Sequence, residues 1–411
     1  MQTLVELDLP HLPMEDPACA ADPFPHFTAA RNKHPWLARS VFGLVVTEYG
    51  AMKDLMWMDS HLRTAIDSIV AILGAKDTAW GRMAEENIFA QQGEVHRRLR
   101  DAVAPIFTPR RANEIRPMIR EAIEGLLDEW VPAGQFDFEE FASYFPVTVI
   151  SKMIGGPVDA IPRLRSTLEA LGGAFSLDPA HVPALETAQL VIDEFVGKLV
   201  ADRRCNPRHN DQNARGGEDL LDMLIGVSAD GRISDREIVL LIEFLYAAGY
   251  DTSTHVLTRI MYQMIESPVI YERCADDFDF CRKVVEEMLR FSGVSTSFRV
   301  TTADVEYRDV LLPKDTTIFF PVSVAGRDPG TFTDADRFDP DRAVDPEHRH
   351  IGFGRGAHVC LGQHIARVQL QEGLHRVARR IRAPQLAGEI AWRPFPGLWG
   401  LKRLPIRFTQ A

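Results

Sequence analysis

The segment from Ser234 to Ile265 restricts the fold more than any other stretch of the chain. Ser234 followed by Glu237 has the capping-box pattern that starts a helix, a long apolar run follows, and Pro268 stands just past the end. At ~1.5 Å per residue such a helix spans roughly 48 Å. Apolar residues occupy every side of its first half, Ile238 through Ala248, so it must run through the interior rather than over the surface. A membrane span would need ~20 uninterrupted apolar residues, and Glu243, Asp251, His255 and Arg259 break the run first. What is left is a buried helix with polar side chains along its length, and each of those needs a reason to be there. Gly249, near the middle, adds a cost of about 0.8–1.0 kcal/mol relative to Ala. A glycine close to hydroxyl side chains such as Thr252 opens a local groove, because no Cβ fills the gap and the hydroxyl competes for backbone carbonyls.

Elsewhere helical periodicity dominates, with β-like stretches at Leu44–Thr47, Phe298–Thr301, Thr316–Pro321 and Leu404–Phe408. The expectation is a mainly α fold with small β-sheets. Apolar, charged, Gly and Pro residues stay mixed throughout, so residues 1–411 read as a single domain. A net charge of -12 argues against sequence-independent nucleic-acid binding, which needs a basic surface to replace phosphate counterions. The start lacks a basic region followed by an apolar run, so the expected location is cytoplasmic, with no membrane anchor. Five irregularly spaced cysteines without a CxxC suggest neither a disulfide framework nor a zinc ribbon.

One of those cysteines has unusual neighbours. The run from Phe353 through Cys360 to Gly362 leads into an amphipathic helix marked by Ile365, Val368, Leu374, Val377 and Ile381. A helix N-terminus presents unpaired N–H groups and partial positive charge, which favour thiolate over thiol. Gly354, Gly356 and Gly362 let backbone approach a flat ligand, and Phe353 keeps water away. Two other readings compete: a small buried cysteine, and a zinc site drawn from His348, His350, His358, Cys360 and His364. Only one cysteine is near and no second ligand pair follows, which weighs against zinc. Two further pairs have spacing that places them on one helical face, Glu287 with Arg290 and His96 with Arg100. Alone, either pair is ordinary surface chemistry.

The pattern Phe353-x-x-Gly356-x-x-x-Cys360-x-Gly362 resembles the haem-binding signature of the cytochrome P450 family. That resemblance implies the cytochrome P450 fold, with the long central helix over haem b, Cys360 as axial thiolate ligand of the iron, and Phe353 and Gly362 beside the cofactor. It implies that Glu287, Arg290 and Arg342 form a structural triad bracing the cysteine loop, and that His96, Arg100, Arg299 and His358 hold the haem propionates. The stretch Ala248-Gly249-Tyr250-Asp251-Thr252-Ser253 resembles the family's oxygen-activating motif, with Ser253 in place of a second threonine. By that likeness Thr252 steers protons to dioxygen, the co-substrate, and Asp251 relays them from solvent. Thiolate ligation favours O–O cleavage over reversible oxygen carriage.

Phe244, Ala247, Ala248, Val294, Ser295 and Ser297 are the expected substrate wall, with Phe89 and Trp399 as further contacts. The implied activity is hydroxylation of a small to medium hydrophobic molecule of terpenoid or aromatic type by a monomeric enzyme. Without an appended reductase domain, electrons would come from an iron–sulfur ferredoxin and its reductase. Arg97, Arg98, Arg349 and Arg355 are candidates for the docking patch. A non-catalytic haem-binding module is the alternative, and it has no use for Asp251 and Thr252. Two positions depart from the family pattern: Gly326, where Asn is frequent, and Tyr307-Arg-Asp-Val, which lacks the usual turn glycine.

Overall fold

The structure is a computed structural model and describes residues 2–207 and 219–411. Short strands Leu37–Ser40 (β1), Gly43–Val46 (β2), Leu62–Thr64 (β3), Ser297–Thr301 (β4) and Thr317–Phe320 (β5) form one sheet in the order β1-β2-β5-β4-β3. The helices that shape the site are Gly93–Val103 (α1), Phe138–Ile154 (α2), Ile161–Gly172 (α3), Val182–Cys205 (α4), Asp235–Ile265 (α5), Phe278–Phe291 (α6) and Gln363–Arg380 (α7). Helix α5 runs through the interior in contact with α2, α3, α4, α6 and α7. Its capping box is formed: the Glu237 N–H donates to Ser234 Oγ at 3.2 Å and the Ser234 N–H to Glu237 Oε2 at 2.7 Å. The fold is thus mainly α with small sheets, as the periodicity predicts. Among the described residues no helix is long and apolar enough to cross a membrane.

The sheet carries functional side chains to the interior. In β4, Phe298 pairs with Phe319 and Arg299 with Ile318 of β5, while Arg299 meets Thr64 of β3 on the other side. Periodicity misses β1 and β3, which are only a few residues long and contain Arg39 and Arg63; their extended form comes from pairing with distant chain. The helix expected to continue to Ile381 ends at Arg380, because Ile381 opens a strand, Ile381–Leu386, paired with Pro405–Gln410. In the turn after Tyr307, Arg308 and Asp309 themselves take positive φ values of 47° and 63°.

Glu287, Arg290 and Arg342 are joined. Arg290 grips the Glu287 carboxylate through two hydrogen bonds of 2.8 and 2.7 Å, and Arg342 Nε reaches it at 3.1 Å. The two arginines then bind the carbonyls of Gly326, Thr333, Asp334, Ala335 and Arg337. Gly326 is explained by this packing, since a Cβ there would fall 2.0 Å from the Arg290 carbonyl oxygen. Gly326→Ala should therefore push α6 off this segment and lower stability by about 1–3 kcal/mol, read as an earlier denaturant midpoint with unchanged slope.

Candidate active site

A cavity of about 390 Å³ lies between α5 and the cysteine loop, within the size range of small-molecule sites. Its lining contains Cys360, Phe353, Gly362, His96, Arg100, Arg299, His358, Asp251 and Thr252, and also Phe244, Ala247, Ala248, Val294, Ser295 and Ser297. Residues spread from position 96 to 362 thus converge on one space. Phe89 joins them, stacked on Phe244 with centroids 6.1 Å apart. Trp399 does not: it is buried outside the cavity, with Nε1 donating to the Ala20 carbonyl at 2.7 Å, and its neighbour Leu398 lines the wall instead.

The cysteine loop is shaped by contacts that spacing alone could not reveal. Gly356 has φ +74° and faces the 56–59 segment so closely that a Cβ would meet Met56 O and the Asp59 carboxylate at 2.7 Å. That carboxylate accepts the Ala357 N–H at 2.8 Å, and the Cys360 N–H closes the loop onto Phe353 O at 2.9 Å. Glu286 ties α6 to the loop through His350 at 3.0 Å and Arg367 at 2.6 Å, and the Arg367 guanidinium lies 4.4 Å from the Phe353 ring centroid. Burial would raise the Glu286 carboxyl, but those two donors bring it down to about 2. Asp59, Glu286 and Arg367 are parts of the site that sequence reasoning missed, and His350 ties to Glu286 rather than serving the zinc site considered for it; an acid directly preceding Glu287 was the only available hint.

Helix α7 starts at Gln363 with Gly362 as its N-cap, so the sulfur sits just before the first turn. The N–H groups of Gly362 and Gln363 and the charges of Arg100 and Arg367 do favour thiolate, yet burial outweighs them and leaves the thiol raised.

Four donors cluster beside the loop. The His96 and His358 rings lie 4.1 Å apart, Arg100 Nη2 donates to the Val359 carbonyl at 2.7 Å, and Arg299 Nη1 to Ser297 Oγ at 2.9 Å. Among the described residues neither arginine has a carboxylate at ion-pair distance. Burial, with the proximity of His96, Arg299 and Arg100, drives His358 down to about 3, and burial lowers Arg299 to about 10. Such a buried, uncompensated positive cluster asks for an anion of at least two charges, which the two carboxylates of a haem satisfy.

On α5, Thr252 Oγ1 donates to Ala248 O at 2.8 Å, and Gly249 leaves its Cα facing Ile150. Asp251 is buried, its Oδ1 accepts no hydrogen bond, and His255 Nε2 stands 3.9 Å away. A Cβ on Gly172 would fall 2.3 Å from Asp251 Oδ2, so α3 can cover the carboxyl only with glycine there. Burial raises Asp251 to about 7 against the pull of Arg393, helped by Glu139 and Glu169. Arg393 itself binds Glu139 at 3.1 Å and approaches Glu169 at 3.9 Å, which leads from the buried acid toward the partly exposed Glu169.

The cytochrome P450 family description matches residues 174–383. Luteothin monooxygenase of Streptomyces thioluteus is 33% identical over 410 residues, covering 98% of this chain and 97% of its own. The chain belongs to the cytochrome P450 family. The P450 monooxygenase PikC of Streptomyces venezuelae is 31% identical over 327 residues, 77% of this chain and 74% of its own. The epothilone B-bound cytochrome P450epoK matches with a TM-score of 0.85 over 97% of this chain and 99% of that one, a likeness of fold at 24% identity.

As a P450, the protein is a haem-thiolate monooxygenase using haem b and dioxygen, with a hydrophobic substrate and a redox partner. The zinc alternative fails on geometry: His348 turns to Asp345 at 2.8 Å and His350 to Glu286, and no group of described residues is arranged to hold a metal by itself. The candidate docking patch is also modified, since Arg97 pairs with Glu94 and Arg98 with Glu237.

The raised Asp251 carboxyl has a consequence for stability. Its folded value of about 7 lies above the ordinary 3.8, so the folded P450 holds a proton that the unfolded chain has lost between these limits. Stability from this group is full below about pH 4 and is lost as pH rises through about 7. Asp251→Asn should flatten the fall in unfolding free energy across that window by up to about 1.4 kcal/mol per pH unit. Denaturant titrations of both proteins at a series of pH values check it; identical slopes would contradict the buried, protonated state.

Proposed function

We propose that this P450 hydroxylates a small to medium hydrophobic substrate, with Cys360 as the thiolate ligand of the haem iron and Asp251 and Thr252 as the proton-delivering pair. The observation that carries this reading is one cavity onto which both the Cys360 loop and the Asp251–Thr252 segment of α5 open. His96, Arg100, Arg299 and His358 would hold the propionates, Phe353 and Gly362 would border the cofactor, and Glu287, Arg290 and Arg342 would keep the loop in place. Bound there, the haem supplies the reductive activation of dioxygen.

The protein's own contribution is proton control. A carboxyl titrating near neutrality is suited to both accept and give a proton at working pH. Asp251 takes protons from the side of Arg393, Glu139 and Glu169 and passes them toward the cavity, where the Thr252 hydroxyl directs them. A non-catalytic haem module would gain nothing from an unpaired acid buried beside a hydroxyl. Phe89, Phe244 and Phe298 make the wall strongly aromatic, which favours an aromatic substrate over a terpenoid one. Luteothin and epothilone B, named with the relative and the structural neighbour, are two compounds to test first.

Electrons come from a ferredoxin and its reductase, and the enzyme works as a cytoplasmic monomer. With Arg97 and Arg98 neutralised by acids, Arg355 is the better docking residue: it lies 5.3 Å from the ring of exposed Trp57, within the loop that carries Cys360. Arg355→Glu should slow the first electron transfer several-fold at low salt without changing the carbonyl spectrum; stopped-flow reduction rates equal to wild type would remove it from the interface.

Cys360→Ser should retain some haem but lose the strongly red-shifted Soret band of the ferrous carbonyl complex. Thr252→Ala should keep that band and consume electrons, yet release them as peroxide rather than product. Full coupling in Thr252→Ala would refute the role given to its hydroxyl.

A further inference from the structure

Of the four polar residues that interrupt α5, three have an evident place. Asp251 belongs to the site above, and His255 is packed beneath Gly400, where a Cβ would lie 2.7 Å from the ring. Arg259 sits with its guanidinium carbon 3.7 Å from the Trp399 ring centroid and 5.3 Å from that of Trp392. Glu243 has no such place. It is 2% exposed, lines the cavity, and precedes Ala247 and Asp251 by one and two helical steps of four, so the three share a stripe.

Its surroundings are rich in acceptors and poor in donors. Glu243 Oε2 receives Gln189 Nε2 of α4 at 3.2 Å, and the same amide reaches Asp193 Oδ1 at 3.1 Å. Among the described residues Glu243 Oε1 and Gln189 Oε1 have no hydrogen-bond partner, although Gln189 is 0% exposed and also lines the cavity. Among the described residues no cation lies at ion-pair distance from Glu243; Arg236 is engaged by Glu86 at 3.0 Å. Burial, then a hydrogen bond with Asp193 that only the protonated acid can make and the charge of that carboxylate, push Glu243 up to about 9. Both oxygens belong to residues that line an apolar cavity, and buried without partners they are unfavourable unless something supplies a hydrogen.

We propose that Glu243 and Gln189 form a polar recognition subsite that binds an O–H or N–H donor at one end of an otherwise hydrophobic substrate. This deepens the monooxygenase reading and rests on it. The subsite also acts as a ruler. Nine residues separate Glu243 from Thr252, or about 13 Å along α5. The donor group and the oxidised carbon should thus stand about that far apart, which for an extended chain is on the order of ten bonds.

The test uses the haem-loaded full chain and the low- to high-spin shift on titration with 1-dodecanol, its methyl ether, and N,N-dimethyldodecylamine, protonated at pH 7. The ether keeps the oxygen and replaces the donor hydrogen by a methyl group. Wild type should bind the alcohol or the ammonium at least tenfold more tightly than the ether. Glu243→Leu and Gln189→Leu should each erase that preference while leaving ether affinity equal or better. Glu243→Gln separates the two donor types: it should keep the preference for a hydroxyl and lose that for an ammonium. Equal affinity of wild type for all three, no binding of any, or a preference that survives both leucine substitutions would overturn the subsite. The red-shifted ferrous carbonyl band is recorded for every variant. Its absence from wild type would sink the haem-thiolate reading, whereas its presence with no donor preference sinks only this one. If one leucine variant fails to load haem, the other decides.

Discussion

The Glu287 carboxylate is buried and receives four hydrogen bonds: two from Arg290, one from Arg342 Nε and one from the Asp339 N–H. Charges taken out of water are tolerable only when each lone pair and proton finds a partner, and losing one partner of such a pair costs about 3–5 kcal/mol. Here the outer nitrogens of both arginines are spent on main-chain carbonyls between positions 326 and 337. An irregular segment, with no sheet or helix to fix it, is thereby fastened to α6. Glu286, one residue away, fastens His350 and Arg367 at the two ends of the cysteine loop. The position of Cys360 relative to α5 depends on these adjacent acids, neither of which touches the cavity.

Once the loop is fixed, the cavity is electrically lopsided. Among the described residues, His96, Arg100, Arg299 and His358 gather at the loop side with no acid paired to the arginines, and Asp251 and Glu243 lie along α5 with no base at hydrogen-bonding distance. Each set is unfavourable as it stands, because buried charges without partners lose hydration and gain nothing. The pKa directions record the same stress: the cations are lowered and the acids raised. A dianionic cofactor held there, as proposed, would relieve the first set. Protonation removes the charge of the second but leaves Asp251 Oδ1 and Glu243 Oε1 without a donor among the described residues.

Much of this was legible in the sequence, but unevenly. Helix α5 could be read to within a residue, because its caps and its all-round apolarity act locally. Cys360, Gly362, Asp251 and Thr252 fall within motifs, and the distant His96, Arg100 and Arg299 follow once the family is recognised. Strands β1 and β3 were not legible, since three or four residues with a central arginine acquire their form from pairing across the chain. Trp399 was misread for a related reason: sequence position put it near the site, while its indole N–H needed a buried acceptor and found Ala20 O on the opposite side. Asp59 was invisible because its role exists only where Gly356 lets two segments nearly 300 residues apart touch.

The polar residues of α5 show which kind of sequence signal survives folding. A polar side chain in an apolar run announces a requirement without naming it. Arg259 lies against aromatic faces and a serine, and His255 packs beneath Gly400, both away from the cavity, although Arg259 Nε and Nη1 and His255 Nδ1 lack hydrogen-bond partners among the described residues. Asp251 and Glu243 each keep an oxygen with no donor among the described residues, and of these four residues only they line the cavity. Stability alone would favour replacing such groups by apolar ones of similar size, since a buried unpaired acceptor only weakens the fold. Their place on the face of α5 that meets the cavity is what distinguishes the two acids from Arg259 and His255, and it supports the proposed roles of both toward the ligand.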